Sequence, residues 1–256
     1  MHKTISVLNQ KGGVGKTTTA VNLSAAVGAA GHRVLLCDID PQGNSTSGYG
    51  VNKRDLKYSS YDLLTGSCKA SDAIIRTGFS NVDLLPANMD LAGAELELIE
   101  RENRESVLKN ALIPIWDDYD FIFLDCPPSL GIITLNALTA SDTFLVPIQC
   151  EYYALEGLSQ LMATARKIKR MYNPYLDIEG VLLTMYDGRL RLTTQVAAEV
   201  KKYFPKKVYS VTIPRNVRLS EAPGFGQPVI YYDKNSAGAK AYTAAAEEFL
   251  KQQQNT

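Results

Sequence analysis

No stretch of the sequence approaches the roughly 20 consecutive apolar residues that a membrane-crossing helix requires. The longest apolar runs, such as Val181–Leu183 and Phe121–Leu124, are only a few residues long. The opening MHKTISVLNQ carries no apolar signal core and no small-residue cleavage site, so a cytoplasmic protein is expected. Cysteine is scarce. Cys37, Cys68, Cys126 and Cys150 stand far apart with no CxxC pair, which argues against a disulfide framework and against a zinc ribbon. Three of them lie in or beside apolar runs, where cysteine behaves as a small hydrophobe. Net charge is also lacking, with 27 basic and 27 acidic side chains. What the chain does have is 45% hydrophobic and 21% charged residues over 256 positions, enough to bury a sizeable core. It shows no repeat, no low-complexity tract and no linker, so residues 1–256 read as one domain.

The neutral average hides a segregation. From Arg166 to Arg218 there are twelve basic residues and four acidic ones, which leaves fifteen basic and twenty-three acidic elsewhere. That imbalance fits a face that binds a polyanion, with scattered solvated lysines as the plain alternative.

Strand-like and helix-like runs alternate. Strands are expected at Thr4–Leu8, Arg33–Asp38, Val82–Pro86, Tyr119–Asp125, Thr143–Pro147, Glu179–Met185 and Val208–Ile213. Helical patterns fall near 18–30, 89–100, 103–113, 132–141, 154–172, 192–204 and 236–252. Runs such as FIFLD and GVLLTM read as strands buried on both faces. Strands separated by helices imply βαβ units, hence an α/β protein with a mainly parallel sheet flanked by helices in three layers.

The strongest motif is Lys11-Gly12-Gly13-Val14-Gly15-Lys16-Thr17-Thr18, between a strand and a helix. Glycines let backbone N–H groups turn toward an anion, and the helix N-terminus adds its positive dipole end. Lys16 is placed to reach the β- and γ-phosphates of a nucleotide, the Thr17 hydroxyl to ligate Mg²⁺, and Thr18 to touch the α-phosphate. The loop departs from GxxxxGK[ST], because Gln10 stands where the first glycine belongs and Lys11 adds a second lysine.

Two carboxylates end strands, where ligands of α/β sheets gather. Asp125 closes FIFLD and is a candidate Mg²⁺ holder. Asp40 in DIDPQGN is a candidate catalytic group, with Asp38 as its competitor and turn capping as the alternative for both.

KGGVGKTT resembles the deviant Walker A loop of the ParA/MinD ATPases, a P-loop NTPase fold. That resemblance implies ATP and Mg²⁺ as cofactors, and ATP hydrolysis with weak intrinsic activity stimulated by a partner. It implies that Lys11 crosses a dimer interface to the nucleotide of the other protomer, beside Lys16 and Asp40 as catalytic groups. DCPPSLG resembles the family's second switch. CEYYALEGLSQL (150–161), EGVLLTM (179–185) and IPRNVRLSEAPGFGQPV (213–229) are similar to the chromosomal ParA proteins of the Soj group, over about Ser6 to Asp233.

The Soj likeness implies further roles. Pro214 and Asn216 would hold the adenine, with a plain surface turn as the alternative. Arg189 and Arg218 would bind double-stranded DNA without sequence preference, in an ATP-bound homodimer on the nucleoid. A centromere-binding partner of the ParB/Spo0J type is implied for chromosome partitioning. Lys201, Lys202, Lys206 and Lys207 add to the local field or are merely solvated. The alternative is a MinD-like membrane switch. It needs a Lys-rich amphipathic C-terminal helix, whereas AYTAAAEEFLKQQQNT reads as a helix packed on the core, with no membrane partner expected. A metabolic P-loop enzyme is the third reading. The nitrogenase iron protein shares the loop, but the cysteines here do not follow its cluster pattern.

Overall fold

A computed structural model describes residues 2–254. Seven strands form one sheet: β1 (Lys3–Val7), β2 (Val34–Asp38), β3 (Ile75–Arg76), β4 (Val82–Leu85), β5 (Phe121–Asp125), β6 (Thr143–Gln149) and β7 (Asp177–Thr184). Their order is β3-β4-β2-β5-β1-β6-β7. All neighbours are parallel except the two-residue edge strand β3, which runs antiparallel to β4 and was not expected from the sequence.

Twelve α-helices lie among the described residues: α1 (Lys16–Ala29), α2 (Asn44–Gly48), α3 (Ser60–Thr65), α4 (Ala70–Ala73), α5 (Leu91–Ile99), α6 (Val107–Leu112), α7 (Ile132–Ala140), α8 (Ala154–Met171), α9 (Arg191–Tyr203), α10 (Val217–Glu221), α11 (Val229–Tyr232) and α12 (Ala237–Gln253). The helical pattern near 103–113 splits into two short 3-10 turns around α6, the second beginning at Ile113-Pro114. The proline nitrogen has no hydrogen to continue the α-helical ladder.

The strands are apolar throughout because both sheet faces are covered. Leu35, Cys37, Ile122 and Leu124 join the core under α5–α9, while Val34, Leu36, Phe121 and Phe123 join the core under α1 and α12. Alternate side chains along one strand therefore serve opposite layers, as the two-residue strand period requires. Within α12, Tyr242, Ala245, Ala246 and Phe249 are buried, and the Tyr242 hydroxyl meets Thr19 Oγ1 of α1 at 3.0 Å. Cys37, Cys126 and Cys150 are free thiols buried in the core.

One expected strand is not formed. Residues 208–213 run beside β7 but make only isolated bridges, Val181 to Val208 and Tyr186 to Pro214. Glu248 of α12 takes up the backbone amides of Ser210 and Val211 instead. Its carboxylate accepts hydrogen bonds from Ser210 N (2.7 Å), Ser210 Oγ (2.7 Å) and Val211 N (3.0 Å). Between the ladder contacts Tyr209 N to Val181 O and Ile213 N to Leu183 O, the chain therefore bows out toward α12.

Parallel register decides where the site lies. Asp38 of β2 and Val7 of β1 both stand opposite Asp125 of β5. The loop after β1, the loop after β2 and the end of β5 thus meet at one carboxyl edge of the sheet, the position ligands take in open α/β folds.

Candidate nucleotide site at the carboxyl edge of the sheet

The loop between β1 and α1 is built to present backbone N–H groups. Gly13 and Gly15 have φ of 75° and 86°, a left-handed conformation that glycine alone adopts without cost. The loop is fixed from three sides. Thr184 Oγ1, at the end of β7, donates to Val14 O at 2.8 Å. Asn9 accepts from Lys11 N at 3.1 Å through Oδ1 and donates to Pro147 O at 2.8 Å through Nδ2. Lys16 Nζ donates to Lys11 O at 3.1 Å. The loop's shape is thus held by hydrogen bonds within the protein.

A cleft of about 540 Å³ opens above it, within the usual size of small-molecule sites. Gly12, Gly13, Gly15, Lys16, Thr17 and Thr18 form its floor. Asp40, Pro128, Pro214, Arg215 and Asn216 also line it. Val14 is buried and does not line the cleft. The sequence-selected loop residues other than Lys11 and Val14, together with Asp40, Pro214 and Asn216, are therefore gathered in one cavity. Asn216 lines the cleft, and its Oδ1 is buried against Gly238 of α12 with no hydrogen-bond partner.

Three carboxylates lie at this edge, each in a different role. Asp38 is fully buried and ties down the loop after β2. Its Oδ2 accepts from Thr46 N and Thr46 Oγ1, both at 2.7 Å, while Thr46 Oγ1 accepts from Ala87 N at 2.8 Å. Burial lifts its pKa to about 6, against those hydrogen bonds. Asp40 also caps a turn, taking Gln42 N at 2.9 Å, yet it lines the cleft. The competition between the two thus has a structural reason: Asp38 is used up in holding the loop, whereas Asp40 borders the cavity.

Asp125 is fully buried below the cleft. Its Oδ2 accepts from Ser45 Oγ at 2.7 Å, and the nearby Thr17 hydroxyl works against the rise of its pKa. Burial first, and the nearby Asp38 charge second, raise its pKa to about 8. Its Oδ1 is buried without a partner. A buried carboxylate oxygen with no donor, beside a threonine hydroxyl, fits a hard cation. Magnesium typically takes only one or two protein ligands and completes its shell with phosphate and water. Burial depresses the Lys16 pKa, while Asp125 and Asp40 pull it back up.

Three selected residues lie apart from the cavity. Lys11 turns to the loop after β6 and donates to the Glu151 carboxylate. Arg189 is exposed and held by Asp187; Arg218 is held by Glu221 and Asp233. Sequence reasoning missed Ser45, Thr46, Thr184 and Glu151. The Ser45-Thr46 pair just after DIDPQGN was the one local signal for them, since hydroxyls that close follow a strand-end carboxylate.

Several known proteins are similar to the chain along most of its length. Residues 2–178 match a family model described as an AAA domain. The Sporulation initiation inhibitor protein Soj of Bacillus subtilis is 56% identical over 248 residues, covering 97% of this chain and 98% of that one. The Chromosome partitioning protein ParA of Myxococcus xanthus is 50% identical over 247 residues, covering 96% and 87%. A crystal structure of a cobyrinic acid a,c-diamide synthase from Mycobacterium smegmatis with bound ATP analogue and magnesium matches with a TM-score of 0.87. Its identity is 38%, and the match covers 99% of this chain and 96% of that one.

Proposed function

The chain belongs to the ParA/Soj family of chromosome-partitioning ATPases, and from that premise we propose that it is an ATP-fuelled DNA-binding switch that hydrolyses ATP to ADP and phosphate. The observation that carries the reading is the buried, partnerless Asp125 Oδ1 beneath the glycine loop, whose Gly13 and Gly15 have positive φ.

Each side chain then has a task. The loop N–H groups and Lys16 bind the phosphates, and Thr18 lies beside them at the start of α1. Thr17 and Asp125 would hold Mg²⁺, which when bound neutralises charge developing on the phosphate oxygens. Asp40 orients the attacking water toward the γ-phosphate. Asn216 Oδ1 accepts from the exocyclic amine of adenine, and Pro214 forms the wall beside it.

Lys11 has the role that needs a second copy. In an ATP-bound homodimer it leaves Glu151 and delivers its charge to the nucleotide of the other protomer, as an arginine finger would. The dimer joins two basic faces, including Arg189 and Arg218, on one body and gains DNA affinity through effective concentration. Hydrolysis removes the γ-phosphate, relaxes the loops carrying Asp40 and Pro128, and releases DNA. No arginine finger lies within the chain's own motifs, so intrinsic turnover is slow, and a ParB/Spo0J-type partner accelerates it.

No helix among the described residues is long and apolar enough to cross a membrane. The packing of α12 against α1 disfavours the MinD-like alternative, in which a C-terminal amphipathic helix binds lipid. The test is retention on duplex DNA with ATP, with ADP and without nucleotide, beside a parallel arm of anionic lipid vesicles. ATP-dependent retention on DNA alone is expected. ATP-dependent retention on vesicles but not DNA would replace this reading with the membrane switch.

A further inference from the structure

The two arginines assigned to DNA are not free cations. Arg189 makes a two-pronged fork onto Asp187, with Nε to Oδ1 at 2.9 Å and Nη2 to Oδ2 at 2.7 Å. The same carboxylate accepts Arg189 N at 3.0 Å, so it closes the turn that leads into α9. Arg218 lies between two carboxylates. Its Nη1 donates to Glu221 Oε2 at 2.7 Å, and its Nε is 3.3 Å from Asp233 Oδ2. Glu221 is three residues away on α10, while Asp233 comes from the segment after α11. Tyr232 OH donates to Glu221 at 3.3 Å and steadies it. By contrast, Arg215 is exposed and has no ion pair among the described residues.

We propose that Asp187, Glu221 and Asp233 are built-in competitors of the DNA phosphate, occupying the guanidinium groups of Arg189 and Arg218 so that DNA binding is an exchange of one anion for another. This rests on the DNA-binding reading above and adds its regulation. The geometry supports it directly. Asp187 takes the Nε–Nη2 side of the Arg189 fork, so a phosphate must either displace it or settle for the Nη1 side beside a negative charge. The bonds from Arg189 hold Asp187 down to about 2, so it remains a full anion at any working pH.

The charge arithmetic has a consequence for affinity. The Arg189 site has no net charge, and the Arg218 site is net negative by one. Both therefore attract DNA less than bare arginines would. Contacts formed by exchange release fewer counterions from DNA, because the displaced carboxylate stays nearby. The expected outcome is a shallow salt dependence and fast release, both useful to a protein that must leave DNA after hydrolysis.

The test uses the full chain with ATP and Mg²⁺, and duplexes of unrelated sequence. Asp187→Asn, Glu221→Gln and Asp233→Asn keep an acceptor oxygen for each arginine while removing the charge. Each is expected to tighten DNA binding by about fivefold, the worth of one charge at contact distance in water. Each should also steepen the salt slope by about one unit. ATP hydrolysis without DNA should stay unchanged.

Asp120→Asn is the control. Asp120 pairs with Arg33 at 2.9 Å just before the first residues of β5 and β2, and its replacement changes net charge by the same amount. Unchanged or weaker DNA binding in Asp187→Asn and Glu221→Gln overturns the proposal, as does equal tightening in Asp120→Asn. Arg189→Glu and Arg218→Glu separate the two levels. If they lose DNA binding, the DNA face stands whatever the carboxylates do. Should both bind DNA as the parent does, the face itself is misplaced and the proposal falls with it.

Discussion

Lys11 and Glu151 form an ion pair that joins the loop after β1 to the loop after β6. The two residues are 140 positions apart, and the pairing of β1 with β6 brings them together. The lysine that the proposed function sends to a second subunit is thus paired with a carboxylate of its own chain.

Glu151→Gln should release that lysine and favour the ATP-dependent dimer. Both side chains are partly exposed, so the gain is modest, no more than about fivefold in dimer affinity. Sedimentation across a concentration series with ATP measures it. A weaker dimer would show that Glu151 helps the interface instead of competing with it.

Lys16→Ala removes the cation from the phosphate cradle. Nucleotide affinity should fall by at least about tenfold, the scale of one hydrogen bond to a charged group. Calorimetric titration with ATP and Mg²⁺ reads this directly. Affinity equal to the parent would contradict the placement of the phosphates.

Asp40→Ala should slow hydrolysis by about a hundredfold or more, in the range of a lost general base. ATP binding should persist, and the protein should stay on DNA. Phosphate release and DNA retention are the two readouts. Parent-like turnover would remove Asp40 from the chemistry.

Asp38 and Asp125 give the stability a pH dependence of known sign. Their folded pKa values, about 6 and about 8, lie above the ordinary carboxylate value of 3.8. The folded state therefore binds more protons than the unfolded state between about pH 4 and pH 8, and stability falls as pH rises through that window. Without ligand, the melting temperature should drop from pH 5 to pH 8. Asp125→Asn should flatten this slope. Mg²⁺ with nucleotide should stabilise more at pH 8 than at pH 5, because the anion it needs is already formed.

Glu248→Ala should cost about 2–3 kcal/mol of unfolding free energy, since two backbone N–H groups lose a charged acceptor. Urea denaturation measures it. Amide exchange at Ser210 and Val211 should rise before that of β7. An unchanged midpoint would mean that the bowed segment is held by packing alone.

The phosphate loop was legible in the sequence because its chemistry is local. Eight consecutive residues supply the glycine conformations, the N–H groups, the lysine and the hydroxyls, and the flanking strand and helix follow from apolar patterning. FIFLD placed Asp125 at a strand end for the same reason, and the order of strands and helices gave the parallel class of sheet. The bowing at 208–213 was not legible. VYSVTI has strand composition, and a glutamate about 38 residues later takes its amides.

The sequence alone therefore determined the anion cradle, the apolar strands and the identity of the charged groups, all properties of short contiguous segments. Tertiary structure alone decided which charges meet. It placed Asp38 opposite Asp125, gave Lys11 to Glu151, and set Asp187, Glu221 and Asp233 on the two arginines. Electrostatic interaction depends on distance in space and on burial, and sheet order, not position along the chain, fixes both.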